Sequence, residues 1–146
     1  MGIFSNIFSK EEKSRILVVD DDAILRQLLS VKFNSAGFEV DTAEDGQQCL
    51  SKVGVFKPDI ILLDFQMPVM NGVQVLEKLR SDPATKTIKV AFFTNYGESN
   101  PNNNPELDRK FAQDAGAIDF IRKTDDLNSI VEQVKNILNT NPAPAQ

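Results

Sequence analysis

At 146 residues and 16.2 kDa the chain has the size of one domain, and 41% hydrophobic with 25% charged residues supports a packed core rather than wholesale disorder. The 16 Lys+Arg against 21 Asp+Glu leave a net charge of −5, which argues against general nucleic-acid binding, a task that needs a cationic surface. With no histidine and the single cysteine Cys49, an internal disulfide, the usual zinc sites and Ser-His or Cys-His catalysis are excluded, and a reducing, cytoplasmic setting fits.

The opening MGIFSNIFSK lacks the cationic start, long apolar stretch and cleavage site of a signal peptide. Residues 1–14 read as a flexible leader. Ile3, Phe4, Ile7 and Phe8 would share one stripe if 2–9 were helical, a feature too short and too weakly cationic to be a firm membrane signal. The domain proper is expected over 15–139. Residues 15–19 form a β-rich run that ends abruptly in Asp20-Asp21-Asp22, with Asp22 placed as a helix N-cap. Ile24, Leu25, Leu28, Leu29 and Phe33 then recur at helical spacing, and Gly37 supplies a stop. Residues 38–43 alternate as a strand and 47–53 follow as a short helix. After the break at Lys57-Pro58-Asp59, the unbroken apolar run 60–63 reads as a strand covered on both faces.

Met67-Pro68 and Asn71-Gly72 mark a loop, and Val73, Leu76 and Leu79 begin another helix. Residues 89–94 are a fourth strand, and 95–105, rich in Asn, Pro, Gly and Ser, a long loop. A helix carrying Leu107, Phe111 and Ala115 closes at Gly116, and 117–121 is the fifth strand. Leu127, Ile130, Val131, Val134, Ile137 and Leu138 give the clearest amphipathic helix, and Pro142 and Pro144 lie in a tail over 140–146. Five strands alternating with five helices imply a doubly wound parallel α/β sheet with helices on both faces. No repeat, coiled-coil heptad, P-loop or dinucleotide glycine pattern appears. The longest apolar runs, 16–19 and 60–63, are far too short to cross a bilayer.

In such a sheet, ligands bind beyond the carboxyl ends of the strands. Asp20 and Asp21 follow the first strand, Asp64 ends the third, Thr94 the fourth, and Lys123 follows the fifth. If the first and third strands are neighbours, about 4.8 Å apart, the three carboxylates converge and repel one another unless a cation is supplied. Mg²⁺ suits this set, because it takes one or two carboxylates and keeps waters and phosphate oxygens. Asp64 can then act as a nucleophile toward a phosphoryl group, with Lys123 and the Thr94 hydroxyl facing the transferring oxygens.

These residues resemble the receiver domain of bacterial response regulators, in its stand-alone, chemotaxis-regulator form. ILVVDDDA (16–23) is similar to the family's first strand and acidic pair, and PDIILLDFQMPVMNG (58–72) to its phosphoacceptor segment, the most specific match. FFT (92–94) and AIDFIRK (117–123) resemble the fourth and fifth strands. The resemblance implies a flavodoxin-like (βα)5 fold of strand order 2-1-3-4-5, with Asp64 as phosphoacceptor. It also implies Mg²⁺ held by Asp21, Asp64 and the Gln66 carbonyl, with Asp20 acting mainly through metal-bound water. Thr94 and Phe120 would form the conformational switch. The phosphodonor would be a sensor histidine kinase or phosphotransfer protein, since the chain has no histidine, and the output a contact with a downstream protein target. Such a chain is no enzyme beyond promoting its own phosphorylation and dephosphorylation.

Four departures from the family pattern stand out. Thr124 replaces the proline usual after the lysine, Asn95 a small residue after Thr94, Gln66 sits two residues past Asp64, and the 95–105 loop is long. Thr124 and Asn95 keep open a degenerate receiver that binds a partner without phosphorylation, whereas Gln66 bears on the phosphoryl lifetime and the long loop is expected to be a solvated insertion. A flavin-binding module fits worse, because three aspartates would repel the flavin phosphate. A metal-dependent phosphatase would need a second acid where Gln66 stands.

Overall fold

The computed structural model describes residues 12–95 and 105–140. The expected leader stripe at Ile3–Phe8, most of the 95–105 loop, and residues 141–146 lie outside the described residues. The elements alternate along the chain: β1 (Arg15–Val19), α1 (Ala23–Ser35), β2 (Glu39–Ala43), α2 (Gly46–Phe56), β3 (Ile60–Asp64), α3 (Gly72–Ser81), β4 (Lys89–Thr94), α4 (Pro105–Ala115), β5 (Asp119–Arg122) and α5 (Leu127–Leu138). All strand pairs are parallel, in the order β2-β1-β3-β4-β5. This is the doubly wound parallel sheet that the alternation predicts, in the flavodoxin-like (βα)5 strand order that the family resemblance implies.

The central strands are apolar on both faces because both are covered. Leu17, Val19, Ile61, Leu63, Val90, Phe92 and Phe120 pack with α2, α3 and Ala112 of α4, whereas Ile16, Val18, Ile60, Leu62, Ala91, Phe93 and Ile121 pack with α1 and α5. Period-2 alternation sends neighbours to opposite cores. Short polar side chains start the helices. Asp22 accepts from the Ile24 and Leu25 N–H groups, Asp45 from Gln48, Asp126 from Ser129, and Asn71 forms a reciprocal capping box with Gln74.

Three elements differ from the sequence reading. Helix α2 continues to Phe56 rather than stopping at 53, because its stop comes from Lys57 in the left-handed region followed by Pro58. Strand β5 begins at Asp119, since Ala117 N–H donates back to Ala112 O and serves the closing turn of α4, with Gly116 at φ +100°. On α1 only Leu29 and Phe33 are fully buried. Ile24 is 72% exposed, Leu28 50% and Val31 62%, so the helix carries a second, outward apolar stripe at i, i+4, i+7.

Candidate functional site

The carboxyl ends of β1 and β3 lie side by side. Their register pairs Val19 with Leu63, so Asp20 and Asp64 come next to each other one step on. Both side chains are fully buried, and both point to the α1/α5 face by alternation with Val18 and Leu62. Asp21, one residue on, is exposed. One carboxylate oxygen from each of Asp20, Asp21 and Asp64 lies within 4.8 Å of the others. Gly72 makes the close approach of the loop possible: a Cβ there would meet the Asp64 carbonyl at 2.6 Å and Phe65 Cα at 3.1 Å.

Lys123 reaches the same point from the far side. Its N–H donates to Thr94 O at 2.8 Å, extending the β4–β5 ladder one step past Arg122. Its Nζ lies 2.8 Å from Asp20 Oδ2 and 3.0 Å from Asp64 Oδ1, and 5.7 Å from the centroid of the Phe93 ring. The Lys123–Thr124 peptide is trans, so the ammonium arrives between the two acids with Thr in the place of the usual proline.

The electrostatics are uneven. Burial and the neighbouring Asp20 charge push the Asp64 carboxyl up to about 7, against the opposing pull of Lys123 and the Gln66 N–H. Burial pulls the Lys123 ammonium down, but its contacts with Asp20 and Asp64 outweigh this and hold it above its ordinary value. Asp20 is engaged at both oxygens: Oδ1 accepts from Asp22 N–H at 2.8 Å, and Oδ2, which has no hydrogen-bond partner, is ion-paired with the ammonium at 2.8 Å. Asp64 is not, for its Oδ1 takes Gln66 N–H at 3.2 Å and Lys123, while its buried Oδ2 has no hydrogen-bond partner. An all-oxygen set of excess negative charge, with a buried Asp64 Oδ2 that has neither hydrogen bond nor ion pair, fits a hard divalent cation.

The other residues singled out in the sequence stand at the same rim but outside this cluster. Thr94 is buried at the end of β4 and donates its hydroxyl to Asn95 O at 3.0 Å. Gln66 is exposed, and its N–H is the group shown turned to Asp64. Phe120 is buried, opposite Phe92 in the β4–β5 register. Two neighbours escaped the sequence reading. Arg26 donates from Nη1 to the Asp20 carbonyl at 2.7 Å and reaches Glu44 at 3.8 Å, fixing the β1 terminus; its place one turn into α1, directly after the acids, was the available signal. Phe93 lies beneath the ammonium, a role hidden in a strand of uniform hydrophobicity. A cleft of about 340 Å³ opens beside Asp21, between the turn at Glu44 to Gln47 and the segment Pro68 to Met70.

The family model of the response regulator receiver domain matches residues 16–135. The chain belongs to this family. Among solved structures, the receiver is similar to the chemotaxis protein CheY4 of Vibrio cholerae, with TM-score 0.75 and 26% identity over 86% of this chain and 99% of that one. A putative response regulator from Chloroflexus aurantiacus gives TM-score 0.76 and 28% identity over 88% of this chain and 100% of that one. Among curated proteins, it is 33% identical to the DNA-binding response regulator MtrA of Mycolicibacterium paratuberculosis over 88% of the chain and 53% of that relative. It is also 32% identical to the phosphate regulon transcriptional regulatory protein PhoB of Pseudomonas aeruginosa, over 84% of the chain and 51% of that relative. The receiver thus spans about half the length of these curated relatives. Among the described residues, no helix is long and apolar enough to cross a membrane.

Proposed function

We propose that this receiver accepts a phosphoryl group on Asp64 from a phosphohistidine of a sensor histidine kinase or phosphotransfer protein, and signals by protein–protein contact. The observation that carries the reading is the Asp64 carboxylate itself: buried, held at Oδ1 by Lys123 and Gln66, and left with an unengaged Oδ2 inside an acidic cluster. That oxygen attacks phosphorus. An O–P bond forms, the P–N bond breaks, and its electron pair stays on the imidazole of the donor, which takes up a proton. The product is an acyl phosphate, later cleaved by water. No general base is required at the nucleophile, because the ionised carboxylate attacks directly.

Asp21, Asp64 and the Gln66 carbonyl would hold Mg²⁺, and Asp20, whose oxygens are already engaged by Asp22 N–H and Lys123, would act through water. When bound, the ion supplies positive charge that offsets the carboxylates and the phosphoryl oxygens. Lys123 keeps its ammonium at the same place and orients Asp64. The Thr94 hydroxyl, which donates to Asn95 O, would turn toward a phosphoryl oxygen by rotation about its Cα–Cβ bond. Movement of Thr94 and Phe120 would bias two conformations of the adjoining α4–β5–α5 surface.

The outward stripe Ile24, Leu28 and Val31 begins beside Asp22 and supports docking of a helical donor next to the acids. The likeness to the chemotaxis protein CheY4 along nearly that whole chain supports a receiver of the chemotaxis-regulator kind. The test is incubation of the full chain with Mg²⁺ and acetyl phosphate, followed by intact mass. A Mg²⁺-dependent gain of one HPO₃ that disappears in Asp64→Asn supports the reading. No gain from acetyl phosphate or any kinase overturns it in favour of a phosphorylation-independent adaptor.

A further inference from the structure

Phe120 has no hydroxyl to anchor, and its ring is buried against β4 and α4. Two guanidinium groups lie over it: Arg122 Cζ is 5.6 Å from the ring centroid and Arg109 Cζ is 5.4 Å. Residues 120 and 122 share a face of β5 by alternation, and Arg122 stands across from Thr94 in the β4–β5 register. Arg122 is only 8% exposed, an unfavourable place for a cation unless its surroundings repay desolvation. Arg109 comes from α4 and is fixed by Asp119 Oδ1 at 3.1 Å. The residue before the ring therefore holds the cation that covers it. The face of an aromatic ring is negative and attracts cations, more strongly where water is excluded.

We infer that Arg109 and Arg122 are positioning residues that clamp the Phe120 ring in its buried seat between β5 and α4. Any movement of the ring out of this seat gives up two cation contacts and loosens the α4–β5 junction. Removing either charge shifts the ratio of seated to displaced ring by about two- to five-fold, and removing both shifts it further. The meaning of the clamp for signalling rests on the proposed switch role of Phe120; the placement of the ring does not.

The test uses the full chain in saturating Mg²⁺ with 4-fluorophenylalanine at position 120, read by ¹⁹F NMR in wild type, Arg109→Gln, Arg122→Gln, Arg109→Lys and Arg122→Lys. The glutamine variants should move population from the wild-type resonance to a second position, and the lysine variants should recover most of it. Phosphorylation rates from acetyl phosphate should change in the glutamine variants and return with lysine. Wild-type spectra in both glutamine variants overturn the clamp, as does a lysine variant that behaves like glutamine, which would mark packing rather than charge. If Arg122→Gln does not fold, the exposed Arg109 pair decides alone. A displaced ring with unchanged phosphorylation rates overturns the link to the switch. Failure of Asp64 to take up phosphoryl would refute the proposed function while leaving the spectral comparison intact.

Discussion

Asp64→Asn should stabilise the metal-free protein, although it removes the phosphoacceptor. In the fold the Asp64 carboxyl is pushed from 3.8 to about 7, because burial and Asp20 disfavour its charge more than Lys123 favours it. Below about pH 3 this carboxyl is largely neutral in both folded and unfolded chains, and the substitution is nearly silent. Between pH 4 and 7 the folded chain keeps a proton that the unfolded chain has released, so its stability falls as pH rises. Above about 7 the whole penalty is present. A tenfold change in proton affinity is worth about 1.4 kcal/mol, so the ceiling on the gain from Asn at pH 8 is about 4 kcal/mol. Asn keeps the shape and relieves the Asp20–Asp64 repulsion while the Asp20–Lys123 contact remains. The assay is thermal or urea unfolding at pH 4, 6 and 8, in EDTA and in Mg²⁺. The gain in EDTA should grow with pH, and Mg²⁺ should narrow it by stabilising the wild type selectively. An Asp64→Asn protein that unfolds no later than wild type in EDTA at pH 8 would refute the reasoning.

Gly72→Ala should destabilise by about 1–3 kcal/mol in urea titrations and slow phosphorylation, because its Cβ would collide with the backbone of Asp64 and Phe65, which has no rotamer to yield. Arg80 ties α3 to the turn after α4 by donating to the Gly116 carbonyl, and to the α3–β4 connection by donating to the carbonyls of Lys86 and Ile88. Arg80→Ala should lower stability by about 2–3 kcal/mol while Mg²⁺ affinity, measured by calorimetry, stays at the wild-type value. Leu28→Ser on the outward face of α1 should slow transfer from a protein phosphodonor by about tenfold and leave the rate with acetyl phosphate unchanged; equal effects on both donors would remove α1 from the docking surface.

Much of the fold is legible because the runs 60–63 and 90–93 are apolar without interruption, as a sheet covered on both faces requires. The convergence of Asp20 and Asp64 follows from the parallel β1–β3 neighbourhood. Lys123 is legible because one residue past a strand in this topology is the functional rim. What the sequence hid depends on side-chain direction rather than periodicity. Ile24 and Leu28 have helical spacing, but so do Leu29 and Phe33, and only packing decides which stripe faces the sheet. The guanidinium pair over Phe120 joins α4 to β5 across eleven positions of chain, with no local pattern to announce it. The β5 boundary moved by two residues because the hydrogen bond from Ala117 to Ala112 assigns that residue to a turn.

The most direct measurement locates the acyl phosphate. After incubation with Mg²⁺ and acetyl phosphate, borohydride reduction converts a phosphorylated aspartate to homoserine, which peptide mass spectrometry assigns to one position. The account predicts homoserine at position 64 in wild type and at no position in Asp64→Asn. Homoserine at position 20 or 21 instead, or at none of the acids under these conditions, would contradict it.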